Sequence, residues 1–96
     1  MGEYEVRYGD AVKHLDIPAL DRNSRKRIEK AILTKLFTKP EIFGKPLQQQ
    51  LFPFRSLRVG EYRIVYRVQK KMVSIMAILH RSIVYKEAVQ RLSTKD

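Results

Sequence analysis

The chain has no cysteine and no tryptophan. Without cysteine there is no disulfide framework and no thiolate zinc site. Its two histidines, His14 and His80, are too few for a histidine-built metal centre. Glycine and proline number four each, and no Gly-rich phosphate loop or Ser-His-Asp arrangement is present. No apolar run approaches the roughly 20 residues that a membrane helix requires. The opening Met1-Gly2-Glu3-Tyr4-Glu5 lacks a basic segment followed by an apolar one, so no secretory signal is read there. Together these absences predict a cytoplasmic protein without cofactor, metal or membrane.

Acidic residues are also scarce. Lys and Arg number 20 against 10 Asp and Glu, a formal charge of +10. The imbalance is uneven. Residues 1–21 carry two basic and five acidic side chains, a net of −3; residues 22–96 carry +13. A domain charged in this way favours a polyanionic partner, whether nucleic acid, an acidic membrane surface or an acidic protein. At 96 residues, 44% hydrophobic, the chain suits one globular domain spanning 1–96.

The periodicity predicts strand, helix, helix, three strands, helix. Glu3 to Tyr8 alternates, with Tyr4, Val6 and Tyr8 on one face. Asp10 can cap a short helical segment through Leu15, which Pro18 interrupts. Asp21 to Ser24 supplies caps for the strongest helical pattern, Ile28, Ala31, Ile32 and Leu36, ending near Lys39 before Pro40. Residues 40–50, with Pro40, Gly44 and Pro46, read as a connecting loop with room for one short turn. Strands follow at about 52–59, 61–69 and 72–79, with turns at Gly60 and at Gln69-Lys70-Lys71. Ser82 can cap a last helix through Val84, Ala88, Val89 and Leu92, and the tail 93–96 is expected to fray. The fold class is therefore α+β: a small antiparallel sheet with helices packed on one face, its first strand free to lie parallel to a later one.

The second of the three strands carries the strongest signal. Tyr62, Ile64, Tyr66 and Val68 fall on one face; Arg63, Val65 and Arg67 fall on the other. A rigid sheet that presents arginines can hold phosphate, because guanidinium forks match phosphate oxygens. Arg55, Arg58, Arg63, Arg67, Lys70, Lys71 and Arg81 form the basic set, with His80 and Tyr85 close by in sequence. Arg, His and Tyr can together perform metal-free phosphoryl chemistry on RNA: proton removal from a 2′-hydroxyl, charge stabilisation, and protonation of the leaving 5′-oxygen. Ordinary readings stand beside these. Arg67, Lys70 and Lys71 can be a solvated edge that discourages aggregation. Tyr85 can pack with Val89 and Leu92. The basic helix from Arg25 to Lys30 reads first as solvated surface and second as an RNA contact.

The run Leu57-Arg58-Val59-Gly60-Glu61-Tyr62-Arg63-Ile64-Val65-Tyr66, the apolar strand after it, and His80-Arg81-Ser82-Ile83-Val84-Tyr85 resemble the RelE/ParE toxin superfamily, its RelE-type members above all. The resemblance implies the toxin of a type II toxin–antitoxin pair, held by an acidic, RelB-like antitoxin. RelE-type members cleave messenger RNA on the ribosome; ParE-type members poison DNA gyrase without cleaving. By position the resemblance implies catalytic roles for Arg63, Arg81 and Tyr85, with His80 as a further acid. Arg55, Arg58, Arg67, Lys70 and Lys71 then bind RNA or the ribosome. Phe54 and Ser56 stand where bacterial RelE carries lysines. The expected activity is a metal-independent, ribosome-dependent endoribonuclease. The alternatives are a gyrase inhibitor or an inactive nucleic-acid-binding relative.

Overall fold

The structure is a computed structural model that describes residues 3–93. Strand β1 is Glu5–Tyr8, followed by a π-helical turn at Val12–Asp16. Helix α1, Arg22–Ala31, runs on into a second π-helical turn, Ile32–Leu36. Helix α2 (Pro40–Phe43), the two-residue strand β2 (Lys45–Pro46) and a 3₁₀ turn (Gln49–Leu51) come next. Strands β3 (Arg55–Val59), β4 (Tyr62–Gln69) and β5 (Met72–His80) form a meander, and α3 (Val84–Ser93) closes the fold. The expected end of the tail, residues 94–96, lies outside the described residues.

Local chemistry explains the helices. Asp21 is the N-cap of α1 and its side chain accepts from the Ser24 N–H, so one orphan donor of the first turn is satisfied. Phe37 N–H reaches the Ile32 carbonyl five residues back, which widens the last turn. Pro40, sited at the first turn of α2, starts a new helix where a proline costs no hydrogen bond. The stretch expected to be loop is thus a short helix, a strand and a 3₁₀ turn. Its elements are too brief to show a period.

The sheet order is β1-β5-β4-β3-β2. β3, β4 and β5 are antiparallel neighbours, whereas β1 pairs with β5 in parallel. The sheet is therefore mixed rather than wholly antiparallel. The crossover through α1 allows the parallel pairing that a short turn cannot. One face carries Leu57, Ile64, Tyr66, Val73, Ile75 and Ile78 against Val12, Ile28, Ile32 and Leu36. Tyr4, Val6 and Tyr8 of the N-terminal segment join this core.

The helices do not all lie on that face, contrary to expectation. Val65, Ala77 and Val84 form a second buried cluster, so α3 covers the opposite face. The cause is β5, whose Val73, Ile75, Ala77 and Ile78 are all buried. A strand apolar on both sides needs cover on both sides. A bulge assists this. Tyr66 pairs with Ile75 and Val65 with Ala77, which leaves Met76 as the extra residue.

An ion pair pins α3 over the bulge. Asp16 is 2% exposed. Its two carboxylate oxygens accept from Arg91 Nη1 and Nη2, each at 2.8 Å, and Oδ2 also accepts from the Ile78 N–H at 3.0 Å. Arg91 Nη1 reaches the carbonyl of the bulged Met76 at 2.8 Å. Backbone groups disturbed by the bulge are thereby satisfied. Hydrogen bonding to Asp16, opposed by burial, raises the Arg91 pKa above the ordinary guanidinium value.

Candidate nucleic-acid cleft

The β3–β4 hairpin turns at Gly60, whose φ of +60° lies in the left-handed region that glycine tolerates. The turn sets Arg58 opposite Arg63. Both arginines sit one residue out of phase with Leu57, Val59, Tyr62 and Ile64, which belong to the α1 core, so both belong to the face that α3 partly covers. Val84 anchors the first turn of α3 in the second core. The next residue, Tyr85, is carried over Ser56 of β3, and their hydroxyl oxygens lie 2.9 Å apart. Tyr85 remains 38% exposed, so its ring is not a core element, and it lines an open cleft.

A cleft of about 530 Å³ opens here. Its walls are Lys35, Phe43, Lys45, Pro46, Leu47, Ser56, Leu57, Arg58, Arg63 and Tyr85. Four are cations and none is a carboxylate. A cleft of one sign with partly apolar walls concentrates anions. Sequence reasoning missed Lys35 and Lys45. Lys35 lies on the helix before α2, and Lys45 sits in a segment that no period marked.

Arg63 and Arg81 are each held by local partners. Arg63 Nη1 donates to the Tyr62 and Gly60 carbonyls at 2.9 and 3.2 Å, which holds its guanidinium at the hairpin end. Arg81 Nε contacts Glu61 Oε1 at 2.6 Å, and the Arg81 N–H donates to the Glu61 carbonyl. Hydrogen bonding from Arg81, then its charge, holds the Glu61 carboxyl below its ordinary 4.5. Arg81 therefore stands beside the arginine cleft but is occupied by a carboxylate.

His80 pairs with Tyr62 across β4 and β5, and their rings meet edge-on at 5.8 Å. It lies on the α1 face, away from Tyr85. Strict alternation from Val73 would put it on the α3 face; the extra residue at Met76 reverses the parity. Its Nδ1 accepts from the Ser82 N–H at 3.1 Å and lies 2.8 Å from Ser82 Oγ.

Arg55 is turned inward. Its Nη2 donates to the Gly44 carbonyl. Beside it Tyr66 donates to the Pro40 carbonyl at 2.6 Å, and burial raises the Tyr66 pKa despite the hydrogen bond from Arg55. Arg67 shares the face of Arg63 but sits four strand residues away, about 13 Å. Lys70 and Lys71 lie at the far hairpin, and Lys71 Nζ stands 4.5 Å from the centre of the Tyr4 ring. The structure brings together Arg58, Arg63 and Tyr85, with Arg81 at the border. It separates Arg55, Arg67, Lys70, Lys71 and His80 from them.

Among the described residues, no group of three or more His, Asp and Glu side chains could hold a metal ion, and no helix is long and apolar enough to cross a membrane.

The comparisons with known proteins agree with this architecture. The family model for the ParE toxin of the type II toxin–antitoxin system parDE matches residues 4–85. No curated protein matches the chain. Among solved structures, the toxin–antitoxin complex RelBE2 from Mycobacterium tuberculosis is similar at 28% identity and a TM-score of 0.75, over 82% of this chain and 99% of that one. Escherichia coli toxin RelE, a double arginine-to-alanine mutant in the free state, is similar at 26% identity and a TM-score of 0.70, over 94% of this chain and 98% of that one. YafQ from E. coli, at 16% identity and a TM-score of 0.57, covering 86% of this chain and 99% of that one, shares the fold. With most of its length matched by the family model, and with a RelE-like sheet and helices, the chain belongs to the RelE/ParE superfamily of type II toxin–antitoxin toxins.

Proposed function

We propose that this toxin is an endoribonuclease that cleaves messenger RNA on the ribosome. The observation that carries the reading is the cleft in which Lys35, Lys45, Arg58 and Arg63 surround the Tyr85 and Ser56 hydroxyls without a carboxylate. Cleavage needs a proton taken from a ribose 2′-hydroxyl. The freed 2′-oxygen bonds to phosphorus as the bond to the 5′-oxygen breaks. The 5′-oxygen then takes up a proton, and a 2′,3′-cyclic phosphate remains. Arg58 and Arg63 hold the phosphate and neutralise the charge that develops on it. Tyr85 serves as a proton-transfer group, its hydroxyl oriented by Ser56. Arg81 joins when the substrate phosphate replaces Glu61 as its partner. His80 takes no part, given its place on the other face. The mechanism is electrostatic and calls for no metal ion. Its natural antagonist is an acidic antitoxin that covers the basic cleft.

Single-turnover cleavage of ribosome-bound mRNA tests the reading. Tyr85→Phe keeps the ring and removes the hydroxyl, so cleavage should fall about 10²–10⁴-fold, the range of general acid–base groups. Cleavage at the parental rate would make the tyrosine structural.

The ParE family match and the Phe54 and Ser56 positions favour a second reading, a gyrase inhibitor that cleaves nothing. Absence of mRNA cleavage together with loss of DNA supercoiling would select it.

A further inference from the structure

The basic cleft does not end at Arg58. A second groove, of about 380 Å³, lies between α1 and the outer side of β3. Its polar walls are Arg27, Lys30, Thr34, Lys35 and Arg58, and its floor includes Val59 and the Gly60 turn. Lys35 and Arg58 line both spaces, so the two form one track around the edge of β3.

Three features set this track apart from an ordinary solvated surface. No carboxylate lines it, and none of Arg27, Lys30, Lys35 and Arg58 forms an ion pair among the described residues. Helix α1 sorts its charges: Glu29 lies near Arg25, 3.7 Å apart, on the side that faces Tyr8 and Leu20, which leaves the groove side wholly basic. The edge of β3 is also open, because β2 pairs only with Arg55 and Ser56. Leu57 to Val59 therefore have no outer strand neighbour among the described residues. Arg27 also shares a small pocket with Glu61, yet none of the four cations is ion-paired among the described residues. Unpaired cations spaced along a groove match a ligand with charges repeated along its length.

We infer that this groove binds the backbone of a single RNA strand that continues from the Tyr85 cleft around the β3 edge. The inference rests on the proposal that the cleft takes RNA. It adds that recognition extends past the scissile phosphate, and it assigns Arg27 and Lys30 as phosphate-binding residues. Lys35 and Arg58 then act at the junction and guide the strand into the cleft.

The test is equilibrium binding of single-stranded oligonucleotides with a deoxyribose at each position, which bind without a 2′-hydroxyl to cleave. Its readout is independent of cleavage, so failure of the nuclease reading would leave it interpretable. For single strands the logarithm of the binding constant falls with the logarithm of salt by about 0.7 per phosphate neutralised. Arg27→Gln/Lys30→Gln should flatten that slope by about 1.4. Extrapolated from 1 M to 0.15 M salt, this corresponds to about 15-fold weaker binding of a long oligonucleotide. A dinucleotide should bind the variant and the parent alike. Lys26→Gln, on α1 but outside the groove, removes one charge as a control and should leave the slope within a few tenths of the parent.

An unchanged slope in the double variant would overturn the inference. So would an equal loss in Lys26→Gln, which would indicate general charge only. A polyglutamate peptide that loses affinity in the double variant while the oligonucleotide does not would assign the groove to an acidic protein segment instead.

Discussion

Removing the guanidinium of Arg91 should unsettle the whole α3 face. Arg91→Met keeps an apolar stem and deletes every hydrogen bond to Asp16 and to the Met76 carbonyl. The Asp16 side chain is 1% exposed, so water cannot readily take the guanidinium's place. Among the described residues it retains only the Ile78 N–H. Breaking a buried pair from one side costs about 3–5 kcal/mol, because a desolvated charge is stranded. Against a typical total of 5–15 kcal/mol, the folded-to-unfolded ratio should drop by about 10²–10⁴. Urea unfolding gives the measurement, as a lower midpoint at an unchanged slope. Asp16→Asn/Arg91→Met removes the stranded charge and should lose less stability than the two single changes summed. Hydrogen bonding to Asp16 raises the guanidinium pKa further, so Arg91 stays charged at any working pH and the result should not depend on pH through this group. An Arg91→Met protein within 1 kcal/mol of the parent, or a double variant with strictly additive losses, would refute the reasoning.

Gly44→Ala should destabilise by about 1–3 kcal/mol, the range for overpacking, because an added Cβ would meet the Tyr66 ring and hydroxyl; a parental melting temperature would contradict it. Tyr66→Phe leaves the Pro40 carbonyl without its partner and should cost about 1–3 kcal/mol in thermal unfolding, and no loss would mean that water replaces the hydroxyl. Because the Glu61 pKa is depressed in the folded chain, the stabilisation from its pairing with Arg81 is present above the ordinary glutamate value and is lost as pH falls through the folded value. An NMR titration of the Glu61 carboxyl should move upward in Arg81→Ala; an unmoved midpoint would show that Arg81 is not the cause.

Sequence by itself determined the helices and strands that have a clear period. Ile28, Ala31, Ile32 and Leu36 announce the helix, though not its π-helical end, and the alternation of β4 correctly separates Tyr62, Ile64 and Tyr66 from Arg63, Val65 and Arg67. The hairpin at Gly60 and the residues that resemble the toxin superfamily were likewise legible, because both are local. Tertiary structure decided what depends on distant partners. The bulge at Met76 reversed the parity of β5 and sent His80 to the face opposite Tyr85. The two-sided burial of β5 drew α3 over the second face, and Asp16 and Arg91, 75 positions apart in sequence, met there as a buried pair. Lys35 and Lys45 joined the cleft from a helical turn and a strand of two residues, with no motif to mark them. Periodicity reports which way a side chain points along one element. Only packing of the elements decides which side chains face one another.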